Sequence, residues 1–549
     1  MVNVDFSNTN APDQAALNRL AAAAAANDFQ RASQIADEEI SKGRIHPALF
    51  NARAVWLEQQ QRFAEALREF QRARALAPQD VMLLNAIGLS LTRLYRLSEA
   101  VVAFDEAIQI DPRYGPSYHR KGIALGMMGD LDGAQKVHER ALALFPRNVQ
   151  ALSCLSSVLV RKGEFGNARE YARRALQLDA GQGTATAALA MAENADGNFV
   201  GAEELIRPVL QKPDVSGRGR ASAWGILGDA LDGQDRTSEA FDAYSNENAE
   251  LENYHAARFA GRMRIRDFAT ALATQFEKGG STDWSMATPS GASKGRAAGH
   301  IFLLGFFRSG TTLLEQVLQS HHDIVTLEEK DILARAAERF LTNRTGLAAL
   351  AALSDKELDA ARTEYWQRVQ GLGLDVSGKV MVDKNPLNTL KLPLIAKLFP
   401  DARIILALRD PRDVVLSCFR RHFEVNAAMY ELLTLEGAAT TYDAVMGLAQ
   451  VMRTKLPLTV MEHRYESLVE SFEECVGEVC NFIGVPFQKE MLDFHLTAQT
   501  QDIRSPSAQQ VRRSLYKESI AQWRRYAEEL DPIRPVLAPW IERFAYPAE

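Results

Sequence analysis

The sequence predicts a multidomain chain. An all-α superhelix of repeated helix pairs comes first, and a three-layer α/β domain with a mainly parallel sheet follows. Three observations carry this. A 34-residue period runs through the first part of the chain. Beyond residue 298, short β-rich runs alternate with helical stretches. Between the two lies EKGGSTDWSMATPSGASKGRAAGH (277–300), whose Gly, Ser, Thr and Pro content is that of a loop. We place the repeat domain at 13–250, a helical connection and linker at 251–297, and the α/β domain at 298–547.

Composition sets the outer bounds. At 549 residues the chain is too long for one core. Its 46% hydrophobic and 24% charged residues are ordinary for a globular protein. A net charge of -7 gives no general affinity for nucleic acid. Cys154, Cys418, Cys475 and Cys480 form no CxxC pair, so neither a zinc site nor a disulfide framework is expected. The opening MVNVDFSNTNAPDQ lacks a basic start with an apolar run behind it, so no secretory signal is expected. Nowhere do about eighteen apolar residues run together, so no membrane span is expected and the cytoplasm is the default address.

The repeat shows in several phases at once. Ala66, Ala100, Ala134, Ala168 and Ala202 share one phase, and Ala73, Ala107, Ala141 and Ala175 another. Pro78, Pro112 and Pro146 close successive units, and Gly88 and Gly122 share a further position. Small residues let antiparallel helices approach, and proline ends the second helix of each pair. Units fall near 13–46, 47–80, 81–114, 115–148, 149–182 and 183–216. A less regular one follows at 221–250, because KPDVSGRGR (212–220) shifts the phase and Ala240 lies 38 residues after Ala202. In period and residue phase the units resemble tetratricopeptide repeats. Such a superhelix holds a protein segment, pairs two copies of the chain, or braces its neighbour. The sequence leaves these readings open.

In the second domain, strands are expected at Ile301–Leu304, Val380–Val382, Arg403–Ala407 and Leu458–Glu462. Helices are expected at 311–320, 329–342, 355–371, 389–398, 411–419, 423–455, 466–482 and 487–495. Ligands of such folds bind beyond the carboxyl ends of the strands. After the first strand, Gly305-Phe306-Phe307-Arg308-Ser309-Gly310-Thr311-Thr312 leads into a helix. A glycine-bearing turn of this kind aims backbone N–H groups at a phosphate. Gly305, Gly310 and Thr312 fit the nucleotide-binding pattern GxxxxGK[ST], but Thr311 stands where its lysine belongs. A triphosphatase needs that lysine. A cation sits inside the loop instead, at Arg308. Asp383-Lys384-Asn385-Pro386, Leu408-Arg409-Asp410-Pro411 and Arg464-Tyr465-Glu466 follow the later strands. Cations at several strand ends imply an anionic ligand with more than one phosphate-like group.

Two of these segments, in this order, resemble the sulfotransferases that use 3′-phosphoadenosine 5′-phosphosulfate. RSGTTLLEQVL (308–318) is similar to their 5′-phosphosulfate loop, and ALRDPRDVVLSCFRR (407–421) to their 3′-phosphate segment. RYESL (464–468) resembles a later segment. The likeness spans about 298–530. It points to tyrosylprotein sulfotransferases and to the bacterial enzymes that join tetratricopeptide repeats to a sulfotransferase domain. The resemblance implies that Arg308, Ser309, Gly310, Thr311 and Thr312, with Leu313, hold the 5′-phosphosulfate. It gives Arg409 and Ser417 the 3′-phosphate and places Tyr465 beside the nucleotide. Glu329 matches the catalytic base, with Glu328 as its rival. Lys384 matches a lysine near the bridging oxygen, and with Arg308 it completes the catalytic set. SAQQVRRSLYKESIAQWRRY (507–526) resembles the stretch that closes over the donor, with Ser507 and Arg513 as contacts, although Ser514 replaces a usual proline.

The implied reaction moves a sulfuryl group from that donor to an acceptor hydroxyl and leaves adenosine 3′,5′-bisphosphate. No metal is expected. The acceptor is open among a peptide or protein tyrosine, a glycan and a small molecule. A small-molecule kinase and a non-catalytic scaffold are the competing classes. Against these roles stand structural ones. Lys384 could be a surface lysine and Arg409 an ion-pair partner of Asp410 or Asp413. His321 and His322 are expected as surface or capping groups, and Trp523 as core.

Overall fold

The computed structural model describes residues 12–213, 215–278, 284, 297–420, 425–499 and 518–548. The chain divides into two compact units, Met1–Val209 and Leu210–Glu549.

In the first unit, helices pair from Gln14–Ala25 with Phe29–Ser41 through to Gly183–Ala195 with Phe199–Leu210. The small residues of the repeat lie where the helices touch. Ala66, Ala100, Ala134, Ala168 and Ala202 are all fully buried. A Cβ on Gly88 would lie 2.4 Å from the Phe104 ring, and one on Gly122 would lie 2.3 Å from His138. A further phase appears only in the backbone. Each hairpin turns through one left-handed residue, at Asn27, Gln61, Tyr95, Gly129, Gly163 and Gly197, with φ from 57° to 82°. The turn geometry holds this period although the residue type does not.

The second unit begins with a hairpin of the same design, Gly217–Asp232 and Thr237–Phe259. Its turn residue is Asp235, at φ 59°. Gly228 takes the glycine position, with a Cβ there 2.5 Å from the Tyr244 ring. This hairpin is built into the sheet domain. Asn248 donates to the Phe419 carbonyl at 2.9 Å, and Phe241 stacks on Phe419 at 5.0 Å. Asp232 accepts from Arg420, from Arg525 at 2.7 Å and from the Tyr526 hydroxyl at 2.6 Å. Helix Ile265–Lys278 joins the same body, where Glu431 accepts the Ile265 N–H.

Five strands form one parallel sheet: β1 (Gly299–Gly305), β2 (Ile324–Glu328), β3 (Val380–Lys384), β4 (Arg403–Leu408) and β5 (Thr459–Arg464), in the order β2-β3-β1-β4-β5. The sequence predicted four; β2 is the addition. Its run IVTLE is short, ends in acids and offers little β signal beyond Ile, Val and Thr. The helix expected from 329 starts at Ala334, and the long one expected from 423 is broken into Ala427–Tyr430 and Leu435–Lys455. Along β1, Ile301 and Leu303 enter one core and Phe302 and Leu304 the other, the period-two pattern of a strand covered on both faces. The strand order reverses around β1, so ligands are expected at its carboxyl end. No helix among the described residues is long and apolar enough to cross a membrane.

Candidate active site

Gly305 ends β1. A Cβ there would sit 2.6 Å from the Ala407 carbonyl oxygen on β4, so glycine lets the two strands close together. The chain then turns through Arg308 at φ 63° and Gly310 at φ 90° into helix Thr311–Gln319. The space left by Gly310 is filled by the Tyr465 ring, 2.5 Å from where a Cβ would stand. No side chain caps the helix, so its first amides present the positive end of the helix dipole.

Arg308 Nε donates to Ser417 Oγ at 3.0 Å, and the Arg308 carbonyl accepts from Arg409 Nη1 at 3.2 Å. Residues from the β1 loop, the end of β4 and helix Pro411–Arg420 therefore meet at one place. Arg409 is buried and lies 4.9 Å from the Tyr465 ring centre. It also donates to the Ser519 carbonyl, and the Tyr465 hydroxyl is 2.5 Å from Ser519 Oγ. Arg409 Nε is buried without a hydrogen-bond partner among the described residues. Structural ion pairing does not use up this arginine. Arg409 makes a long ion pair with Asp413 at 3.9 Å, as one of its structural readings expected, while Asp410 pairs with Arg412 at 2.7 Å. Asp413 also accepts the Ala521 and Trp523 amides, each at 2.8 Å, which pins the 518–523 stretch beside Arg409. Burial pushes the Asp413 carboxyl up to about 6.

The second half of the site lies at the ends of β2 and β3. Lys384 is fully buried, which overturns its reading as a surface lysine. Its Nζ donates to Glu329 Oε1 at 2.8 Å and lies 3.0 Å from Glu315 Oε2. The Glu315 contact has the distance of an ion pair, and apart from Lys384 the Glu315 oxygens lack a hydrogen-bond partner among the described residues. Burial would lower the Lys384 pKa, but Glu315 and Glu329 outweigh it and raise the value. Burial pushes the Glu315 carboxyl up to about 7. Glu329 holds a left-handed backbone, φ 42°, and its N–H donates to the Lys384 carbonyl at 2.8 Å. That bond ties it to β3 while its side chain stays 43% exposed. Arg308 and Glu329 are both non-glycine residues at positive φ beside the site, the backbone strain that functional loops carry.

The structure thus brings together Arg308, Gly310, Arg409, Ser417 and Tyr465, and separately Glu329 with Lys384. Ser309, Thr311 and Thr312 are buried at the turn. The Leu313 side chain belongs to the core, so only its backbone could face a ligand. Ser507 and Arg513 lie outside the described residues. His321, expected as a surface or capping group, is buried. Its Nε2 donates to the Pro486 carbonyl at 2.9 Å and its Nδ1 accepts the Asp323 N–H at 3.0 Å. His321, His322 and Asp323 cluster within 4.8 Å, but both ring nitrogens of His321 are already engaged. Glu315 and Ser519 were not singled out from the sequence, and Asp413 only as a possible ion-pair partner of Arg409. Glu315 had a usable signal, since a charge within TTLLEQVL must be buried if that helix is covered all round.

Residues 300–489 match the profile of the sulfotransferase family, and 51–114 and 119–183 match that of the tetratricopeptide repeat. Among curated relatives, a protein of uncharacterised role from Aquifex aeolicus (strain VF5) is 27% identical over 277 residues, which is 47% of this chain and 36% of that protein. Protein-tyrosine sulfotransferase 1 of Danio rerio is 24% identical over 257 residues, 45% of this chain and 72% of its own. Protein-tyrosine sulfotransferase 2 of Gallus gallus is 27% identical over 208 residues, 35% and 53% of the two chains. This chain spans about a third of the length of the Aquifex relative. The chain is therefore similar over 51–114 and 119–183 to tetratricopeptide repeats and over 300–489 to the sulfotransferase family, and at modest identity to the protein-tyrosine sulfotransferases.

Proposed function

We propose that this chain transfers the sulfuryl group of 3′-phosphoadenosine 5′-phosphosulfate to an acceptor hydroxyl, a peptide or protein tyrosine in the first instance. The carrying observation is the convergence of Arg308, Ser417 and Arg409 next to an uncapped helix N-terminus. A donor with charge at both its 5′ and 3′ ends suits that set, and Arg409 Nε, without a hydrogen-bond partner among the described residues, is a donor left for it. Arg409 and Ser417 would hold the 3′-phosphate, the loop amides and Arg308 the 5′-phosphosulfate, and Tyr465 would lie against the nucleotide.

In the transfer, the acceptor oxygen forms a bond to sulfur as the bond from sulfur to the bridging phosphate oxygen breaks. The electron pair of that bond goes to the phosphate. Arg308 and Lys384 stabilise the charge arriving there. Glu329 takes the acceptor's proton. A phenol, with a pKa of about 10, gives its proton up far more readily than an alcohol. That chemistry and the names of the vertebrate relatives favour tyrosine.

Calorimetry with adenosine 3′,5′-bisphosphate tests the donor. The wild type should bind it, and Arg409→Ala should weaken it much more than it weakens adenosine 5′-monophosphate. Equal weakening of both nucleotides would refute the assignment of Arg409. Labelled donor incubated with a tyrosine peptide tests the acceptor, and Glu329→Gln should lower turnover at least about tenfold with nucleotide binding kept.

A further inference from the structure

Resting on the sulfuryl-transfer reading, we infer that Glu315 is a positioning residue that holds Lys384 from behind, so that the lysine can serve the donor while Glu329 serves the acceptor. Lys384 Nζ is bracketed by two carboxylates, Glu329 on the cleft side at 2.8 Å and Glu315 on the core side at 3.0 Å. The two differ in solvent. Glu329 is 43% exposed, while Glu315 and Lys384 are both fully shielded.

A lysine paired with Glu329 alone would be tied to the very group that must take a proton. Once Glu329 became neutral, that lysine would have only the departing phosphate as a counterion, and a buried cation left unpaired on its loss is costly. Glu315 removes the conflict. With both carboxylates ionised, the three groups carry one net negative charge, and taking the acceptor's proton brings them to neutrality. The position also has no packing rationale. Helix Thr311–Gln319 is covered along Thr311–Leu318, and an apolar side chain would avoid burying carboxylate oxygens that have only the Lys384 ammonium as a partner among the described residues. A neighbour kept at such a cost points to the charge it faces. The charged groups facing Glu315 are Lys384 from β3 and Glu328 and Glu329 from the end of β2.

The test is Glu315→Gln, measured for nucleotide binding and for transfer across pH to a tyrosine peptide, or to water if no peptide is turned over. Binding of adenosine 3′,5′-bisphosphate should stay within about twofold and kcat should fall about tenfold or more. Removing a negative charge beside both a base and an ammonium favours loss of a proton from each. Both limbs of the pH–rate profile should therefore move to lower pH. Limbs that stay in place, or a rate near that of the wild type, would overturn the inference. If Glu315→Gln does not fold, the double variant Glu315→Gln/Lys384→Met removes the buried anion together with its cation. It should fold and turn over like Lys384→Met alone. A double variant that is slower, or that also fails to fold, shows a need for Glu315 apart from Lys384 and overturns it. A wild type that neither binds the bisphosphate nor transfers sulfate defeats the broader functional reading instead.

Discussion

The hairpin Gly217–Phe259 and the hairpins of the first unit share one design and have different employment. The glycine-to-ring lock is the same in both, Gly88 on Phe104 and Gly228 on Tyr244. So is the left-handed turn residue, Tyr95 in one and Asp235 in the other. Once the four-residue insertion is allowed for, Glu58 and Asp232 occupy the same repeat position. Glu58 accepts from Ser90 and Arg93, on the first helix of the next hairpin. Asp232 accepts from Arg420, Arg525 and Tyr526, far along the chain in the sheet domain. Repeat period is set by how two helices pair. Membership of a unit is set by what the outward polar groups find to bond.

The largest expected difference lies in those two acids. Asp232→Ala leaves the largely shielded Arg420, which lies between Tyr244 and Tyr526, without its acceptor. It should cost the second unit about 3 kcal/mol, the low end of the loss when one partner of a buried pair goes. Arg420 also ends the helix that carries Ser417, so bisphosphate binding should weaken as well. Glu58→Ala faces the more exposed Arg93 and should cost about 1 kcal/mol or less. Hydrogen exchange of each unit under mild denaturant measures both. Similar losses would erase the distinction between the two hairpins.

A smaller contrast comes from the glycines. Alanine at Gly88 or Gly228 would push on an aromatic ring and should cost about 1–3 kcal/mol. Gly88→Ala should loosen only the repeats, which limited proteolysis would locate. Gly228→Ala should also disturb the Tyr244 hydroxyl, which donates to Asp229 at 2.9 Å, and the Arg420 beside that ring. Its effect should therefore spread to the sheet domain.

The smallest expected effect is in pH dependence, where the two units should differ in sign. Glu65 and Glu99 are held below the usual carboxylate range by hydrogen bonds from Arg62 and Arg96. Their contribution is present above the unfolded pKa and is lost as pH falls through the lower folded value. Asp383 is the opposite case. Burial raises it to about 7, against the hydrogen bonds from Tyr365 and Asn388. Its contribution is complete below about pH 4 and is lost as pH rises towards 7. Asp383→Asn should flatten that part of the second unit's stability profile and leave the first unit unchanged. A profile that keeps its slope in the variant would assign the slope to other groups.

Much of this protein was legible because its signals are periodic or local. Alanine and glycine phases reveal helix pairing, since only small residues fit where two helices touch. The turn from Gly305 to Thr312 reveals a strand, an anion loop and a helix, since that backbone needs glycine at Gly305 and Gly310. Arg308, Arg409 and Lys384 could be picked out because they follow predicted strands, and strand ends face the ligand side of such a sheet, whereas Glu329 came only from the family resemblance. What stayed hidden depends on long-range contact. β2 is too short to announce itself and exists by pairing with β3. Glu315 looks like any helix-surface acid until the fold covers its helix. Ser519 and Asp413 gain meaning only when the 518–523 stretch returns to Arg409.

The sequence by itself determined the repeat, the class of the second domain and the segments that meet at its strand ends, because helix spacing, strand patterning and tight turns are written in neighbouring residues. Tertiary structure decided the rest: that the hairpin after Gly217 folds with the sheet, and that Lys384 sits between two acids. Burial and charge pairing are properties of what surrounds a side chain, and those surroundings come from residues up to about three hundred positions away, as Asp232 and Tyr526 do.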